Sequence, residues 1–523
     1  MIQPKSKIEF NHLVNYIKKD PLLDWLDIYG KNRNFKKDYS LYFEFIKEES
    51  IKFRNKEILN ILKKIGKQYS FAKTTLSTRN YFRDYYVNTI FYNTQGLMCK
   101  IQLLIKGHLL NKVYNLNLNN SIYYQVHTSF ITGKYVKKKI LSNDQKHILL
   151  KSKLYYNYRI IKSLNINISN KTLIIFKNIK NYDKNWILFD LEKCKNIKKI
   201  VKKSLIWRKN FNKAISSDKL SSYLKYKLLP NMKNKNDYPW SSAKKKIALK
   251  NKEITLIWNL NDKDRKFLKC KYNISSWDKI KSDMLMSSKQ NKADKIYNII
   301  KVNKKSCNYF IRNKNSILPK VKHKSNIEIY VDLETLSNIF FKNNLSQFTF
   351  LIGALFINNI TNSSRYKYYI VNEITVNEER RIFQEFINDV NTYTKLSNDK
   401  IPIFHWGHIE YSTFNNIREK HNISHYLNFI DLNKQFKHAE IYLKGAFNYS
   451  LKSIGKAMYS LHFIDTKWEE EIGNGLDAMV EYYYISKMTD NDNKNNKLQK
   501  IIEYNYIDVK VLNEILNWIR LVI

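Results

Sequence analysis

An apolar run closed by two carboxylates constrains this chain more than any other stretch. In Ile327-Glu328-Ile329-Tyr330-Val331-Asp332-Leu333-Glu334-Thr335 the branched and aromatic residues read as a strand. Strand side chains alternate between faces, so Asp332 and Glu334, two apart, point the same way. Far downstream, Tyr504 and Asp508 stand four apart in a helical pattern and therefore share a helix face.

The pattern around this strand predicts an α/β domain. Strand-like runs occur at 326–334, 346–357 and 366–374, followed by a helix at 377–395, a strand at 401–406 and a helix at 409–420. Helical patterns then cover 450–459, 475–488 and 495–521. Upstream, 8–65 reads as helices, with Asp20-Pro21 opening one of them. Residues 98–180 alternate apolar runs with Lys/Asn turns, which predicts strands and one helix. The stretch 196–325 is mostly helical and Lys-rich, interrupted by Leu229-Pro230-Asn231-Met232.

Lysine plus arginine number 92 and aspartate plus glutamate 46, so the net charge is 92 − 46 = +46. Such a field attracts polyanions, nucleic acid above all. The excess is mostly Lys beside abundant Asn, Ile and Tyr, residues with A/T-rich codons, so genome composition is a second source of the charge. Cys99, Cys194, Cys270 and Cys307 are scattered with no Cys-x-x-Cys, which argues against zinc or iron–sulfur binding and for free thiols. No apolar run is long enough to cross a membrane, and residues 1–7 carry no apolar segment of a secretory signal. An intracellular protein is expected. No Gly-x-x-x-x-Gly-Lys-Ser/Thr loop, His-Glu-x-x-His or nucleophile elbow occurs.

Phosphodiester hydrolysis needs an activated water and a shield for charge on the phosphate oxygens, which two divalent ions about 3.5–4 Å apart supply. Hard cations take carboxylate oxygens drawn from several places in a fold. Asp332 is expected to bridge two Mg²⁺ or Mn²⁺ ions, with Glu334 beside it and Asp508 completing one shell. The Tyr504 hydroxyl would orient the attacking water. A fourth acid should follow the middle strand. Glu410, in Ile403-Phe404-His405-Trp406-Gly407-His408-Ile409-Glu410, is the candidate. It also fits the simpler role of complementing a helix N-terminus. His405 and His408 read as structural or substrate-lining. Asp431, in Phe429-Ile430-Asp431-Leu432, reads as a helix N-cap, with the fourth-acid role as its alternative.

Taken together, the chain resembles a RecB-like nuclease domain followed by a YprB-type, ribonuclease H-like DEDD exonuclease domain of the tyrosine subclass, an arrangement found among large DNA viruses. The resemblance is carried by Val331-Asp332-Leu333-Glu334, His405-Trp406 with Glu410, Tyr449-Ser450-Leu451-Lys452-Ser453-Ile454, Gly475-Leu476-Asp477-Ala478-Met479 and Glu503-Tyr504-Asn505-Tyr506-Ile507-Asp508. Upstream it extends to Asp20-Pro21-Leu22-Leu23-Asp24-Trp25-Leu26, Leu229-Pro230-Asn231-Met232-Lys233-Asn234 and Lys252-Glu253-Ile254-Thr255-Leu256-Ile257-Trp258. It implies 3′–5′ exonuclease chemistry on nucleic acid, DNA before RNA, with Asp332, Glu334, Glu410 and Asp508 as metal ligands. A Glu in place of Asp at 410 departs from the pattern by one methylene. The corresponding division is 1–200 for a RecB-like domain, 201–325 for a helical connecting region and 326–523 for the exonuclease domain.

A RecB-like site requires a helix Glu, a strand Asp and an acid-x-Lys on the next strand. Here those slots align with Arg54, the neighbourhood of Tyr123 and Lys151-Ser152-Lys153, the last read as following a strand Ile148-Leu149-Leu150. Asp144-Gln145-Lys146 spells acid-x-Lys but precedes that run. Cations in place of carboxylates cannot hold Mg²⁺, so a degenerate site is expected. Lys244-Lys245-Lys246 with Trp240 and Trp258 offers either a base-stacking platform or a solvated charge run beside core tryptophans. The competing reading of the whole chain is a non-catalytic nucleic-acid-binding or scaffold protein with both nuclease sites decayed.

Overall fold

The computed structural model describes residues 7–67, 75–76, 83–136, 140–179, 184–216, 222–289, 292–341, 347–397, 400–468, 475–489 and 491–523. The stretch 1–6, most of the segment searched for a secretory signal, lies outside them. The chain divides into two compact mixed α/β units, Met1–Asp38 with Phe43–Ala248, and Tyr39–Tyr42 with Leu249–Ile523. No described helix is long and apolar enough to cross a membrane.

The first unit is built on a seven-stranded sheet. Its strands are β1 (Ile8–Glu9), β2 (Thr75–Leu76), β3 (Tyr85–Tyr92), β4 (Leu97–Lys106), β5 (Tyr123–Ser129), β6 (Ile168–Phe176) and β7 (Trp186–Asp190). β3, β4 and β5 run antiparallel in succession, and β6 joins β5 in parallel through the helix Gln145–Lys162. That helix and Leu41–Lys64, designated α2 and α1 for the argument below, carry residues of its apolar cores, Tyr156 and Ile160 in one and Ile58 and Ile61 in another.

Two expectations for this unit are corrected. Residues 98–180 hold two helices, because Gly107–Tyr114 also forms one and buries Leu109 and Leu110. Ile148-Leu149-Leu150 is helical, so Lys151-Ser152-Lys153 lies inside α2 and follows no strand. Asp144 starts that helix as its N-cap, accepting from the His147 backbone N–H at 3.0 Å and the His147 ring at 2.8 Å. The acid of the apparent acid-x-Lys is thus a cap.

Lys244 is fully buried rather than exposed on a platform. Its ammonium reaches the Asp20 carboxylate at 3.0 Å and also pairs with Asp237. Asp20 accepts from Asn231 N–H at 3.1 Å and Asn234 Nδ2 at 2.9 Å. A buried carboxylate survives because it is paired and hydrogen-bonded, and this knot ties the two segments around Asp20 and Asn231 together.

The second unit contains a five-stranded sheet in the order β10-β9-β8-β11-β12. These are β8 (Ile327–Ser337), β9 (Gln347–Asn358), β10 (Ser363–Ile370), β11 (Ile403–His405) and β12 (Phe429–Asp431). β9 is antiparallel to β8 and β10, whereas β11 is parallel to β8 and β12 to β11. The helices are α3 (Val376–Ser397), α4 (His408–Lys420), α5 (Leu451–Ser460), α6 (Gly475–Ile485) and the long α7 (Asn491–Val522). The elements read from the sequence fall in the predicted order, with strands at Phe429–Asp431 and Ile441–Leu443 and a helix at Leu432–His438 in addition, elements too short to show a period.

The uninterrupted apolar stretch of β9 is buried on both faces, as a central strand requires. Phe350, Ile382, Phe386 and Ile403 form part of the core. One face of β8 is polar, and α7 is anchored there. Arg520 makes a bidentate pair with buried Glu328, at 2.7 and 3.0 Å. The Tyr330 hydroxyl donates to Glu328 at 3.0 Å. This charge-assisted fork fixes the far end of α7 along β8.

Candidate metal centre

Asp332 and Glu334 lie on β8, and Asp508 lies on α7. One carboxylate oxygen from each falls within 4.8 Å of the others. Glu334 and Asp508 are buried, and Asp332 is half-buried. The pairing of β8 with β9 shifts register between Glu334 and Thr335, so a bulge follows the second acid directly. Bulges re-aim neighbouring side chains.

Glu410 stands outside that three-residue group, in the first turn of α4. Its Oε2 is buried without a hydrogen-bond partner and lies 3.5 Å from His405 Nδ1, another unsatisfied buried atom. The charge of Glu410 nonetheless acts on both Asp332 and Asp508. His405 is buried and His408 exposed at the helix start. Asp431 is a helix cap, accepting from the backbone N–H of Lys434 at 3.1 Å and of Gly407 at 3.0 Å.

The electrostatics record how closely these acids crowd. Burial, then the charges of Asp508, Glu334 and Glu410, push the Asp332 carboxyl well above its usual range. Burial and Asp508 raise Glu334 to about 8, against an opposing pull from Lys452. Burial raises Asp508 to about 6, although the Trp468 hydrogen bond and Lys452 oppose it. Tyr504 is 8% exposed, and its phenol is pushed far up by burial and then by the three acids, so it keeps its proton at neutral pH. Lys452, on α5, places its ammonium 4.7 Å from the Tyr504 ring centre. Burial lowers its pKa, while Asp508 and Glu334 work to keep it charged.

Three positioning groups went unnoticed in the sequence. Fully buried Asn505 donates from Nδ2 to Asp332 Oδ2 at 2.9 Å and accepts from the Tyr366 hydroxyl at 3.0 Å. Gly353, opposite Asp332 on β9, makes room for it: a Cβ there would lie 1.5 Å from Asn505 Oδ1. The indole N–H of Trp468 donates to Asp508 Oδ1 at 2.6 Å. Lys452 sat inside a noted motif without a role, and Asn505 lies beside Tyr504. Nothing local to either says that it meets the acids.

Hard oxygen donors at this spacing, like-charge crowding and an unsatisfied Glu410 oxygen together fit one or more divalent cations. Residues 329–520 match the family model described as the RNase H superfamily. A comparison with curated proteins finds no match to the chain. The second unit thus carries an RNase H-like domain, a nuclease-type fold, with an acidic group able to bind metal.

Proposed function

We propose that residues 326–523 form a metal-dependent exonuclease that hydrolyses nucleic-acid phosphodiester bonds in the 3′–5′ sense, DNA before RNA. The observation that carries this reading is the meeting of Asp332, Glu334 and Asp508 within 4.8 Å, from segments far apart in the chain. Asp332, Glu334, Asp508 and, from its separate position, Glu410 would hold two Mg²⁺ or Mn²⁺ ions. Bound there, such ions shield developing charge on the phosphate oxygens and lower the pKa of an attacking water.

The chain's own groups supply orientation. Asn505 holds the Asp332 carboxylate from one side, and Trp468 holds Asp508. Tyr504 offers a protonated hydroxyl to fix the direction of the water's lone pairs. Lys452 contributes positive charge where an anionic substrate meets four carboxylates, which matters because the acids alone would repel it. The directionality and the preference for DNA rest on the likeness to tyrosine-type DEDD exonucleases. In the first unit the slots aligned with RecB-like acids include the cation Arg54, and we read that unit as having no nuclease activity of its own.

The test is degradation of end-labelled single- and double-stranded DNA and RNA with Mg²⁺ or Mn²⁺. Wild type should shorten at least one substrate from its 3′ end, and Asp332→Ala should abolish this while leaving binding intact. A wild type inert on every substrate and metal would leave the non-catalytic binding reading in its place.

A further inference from the structure

The first unit contains a cavity of about 350 Å³ whose lining includes three cations. Arg54 enters from α1, Lys100 and Gln102 from alternate positions of β4, and Lys153 and Asn157 from successive turns of α2. Glu9 is the one carboxylate among the lining residues. Neither Arg54 nor Lys153 forms an ion pair among the described residues. The Arg54 guanidinium makes one long hydrogen bond there, from Nε to Asn55 Oδ1 at 3.4 Å.

The polar lining is braced. Gln102 Oε1 accepts from the Thr128 backbone N–H at 2.6 Å, and its Nε2 donates to the Thr128 carbonyl at 3.3 Å. Asn157 Nδ2 donates to Gln125 Oε1 at 2.8 Å, joining α2 to β5. Burial and then the charges of Arg54 and Lys100 lower the Lys153 ammonium to about 8, so these cations feel one another. His127, buried on β5, is held neutral by burial and by Lys153 and Arg54. Clustered, partly desolvated cations are unfavourable unless an anion joins them. A guanidinium beside an ammonium in a polar, pre-braced cavity suits a phosphate, with the Arg fork gripping two oxygens.

We propose that this cavity is a binding site for a terminal phosphate group, carried either by a free nucleotide or by a nucleic-acid end. Its volume lies at the small-ligand end of binding pockets. That is room for a phosphate and its sugar, which a terminal group brings with strand on one side only. The site does not depend on the acidic group of the second unit or on any metal.

The test is equilibrium binding to the full chain in EDTA, which keeps metal from the carboxylates and the strands intact. The probes are thymidine, thymidine 5′-monophosphate, and a dT oligonucleotide with or without a terminal phosphate at either end. A phosphorylated probe should bind about tenfold tighter than its unphosphorylated partner, the scale of a hydrogen bond to a charged group. The double variant Arg54→Gln/Lys153→Gln should lose that preference. A preference seen with the mononucleotide alone assigns the site to free nucleotides, and one seen with the oligonucleotide alone assigns it to strand ends. Because the double variant could unfold, each single variant, Arg54→Gln and Lys153→Gln, is tested as well, and a folded one should lose most of the preference. Equal affinity for phosphorylated and unphosphorylated forms of both probes, or a preference that survives in a folded double variant, would overturn the proposal.

Discussion

Each of the two units gathers like charges, but with opposite sign. In the second, Asp332, Glu334 and Asp508 converge, with Glu410 acting on Asp332 and Asp508 from α4. In the first, Arg54, Lys100 and Lys153 line one cavity. Neither cluster is stabilising by itself, since like charges raise each other's free energy. Each is tolerated because packed elements hold it, and each is relieved by a ligand of the other sign. The sign of the cluster, more than the sheet beneath it, decides whether a metal or a phosphate is drawn in.

The most severe way to break this comparison is to neutralise the centre of the acidic group. Asp332→Asn should reduce nucleic-acid degradation by about a thousandfold, the scale of losing a charge-stabilising group. The same change should raise the melting temperature of the metal-free protein, because it removes an acid that the fold can hold only by keeping it protonated or crowding it with others. Activity loss accompanied by a fall in melting temperature would count against like-charge crowding. The pH dependence has a definite sign. The acid pKa values are raised in the fold, so the folded metal-free protein keeps protons that the unfolded chain releases. Stability should therefore fall as pH climbs from the ordinary carboxylate range towards the raised values, and Asp332→Asn should flatten that fall.

A smaller effect is expected at the phenol. Tyr504→Phe should lower kcat on the order of a hundredfold with little change in KM, as loss of a water-orienting group predicts. A change confined to KM would make Tyr504 a substrate contact. Next comes the glycine that admits Asn505. Gly353→Ala should destabilise the protein by about 1–3 kcal/mol through overpacking, read in a denaturant titration, and should also lower activity by displacing Asn505 from Asp332. Full activity in that variant would remove Asn505 from the positioning role.

The mildest contrast is in the first unit. Buried Asp24 is raised to about 7, chiefly by burial, and accepts from Asn15 at 2.8 Å. Asp27 adds to that rise, while Asn15 and Arg208 oppose it. Asp24→Asn should flatten the decline of stability between the ordinary carboxylate pKa and about 7, in denaturation curves across pH, with no effect on metal-dependent activity.

The comparison also shows what a sequence can disclose. Asp332 and Glu334 were legible because strand alternation is local, and Tyr504 and Asp508 because a helical turn is local. The acids stand on the strand and helix predicted for them. Asn505, Trp468 and Gly353 were not legible. Their roles are contacts between segments far apart in the chain, and Asn is too common here for one residue to stand out. The cationic cavity was half visible. Arg54 stands out as a substitution, but Lys153 reads as following a strand because a three-residue apolar run has no period of its own. The Asp144 cap was the signal that should have assigned that run to a helix. Lys244 shows the converse case: a run of three lysines looks solvated, yet its first member is buried against Asp20.

The long helix Asn491–Val522 contributes Tyr504, Asn505, Asp508 and Arg520. During synthesis, then, a growing polypeptide displays Asp332 and Glu334 well before their third partner exists. Until that last helix has been made and has docked through Arg520 and Glu328, there is no chelate to load. Assembly of the acidic group is thereby tied to completion of this helix.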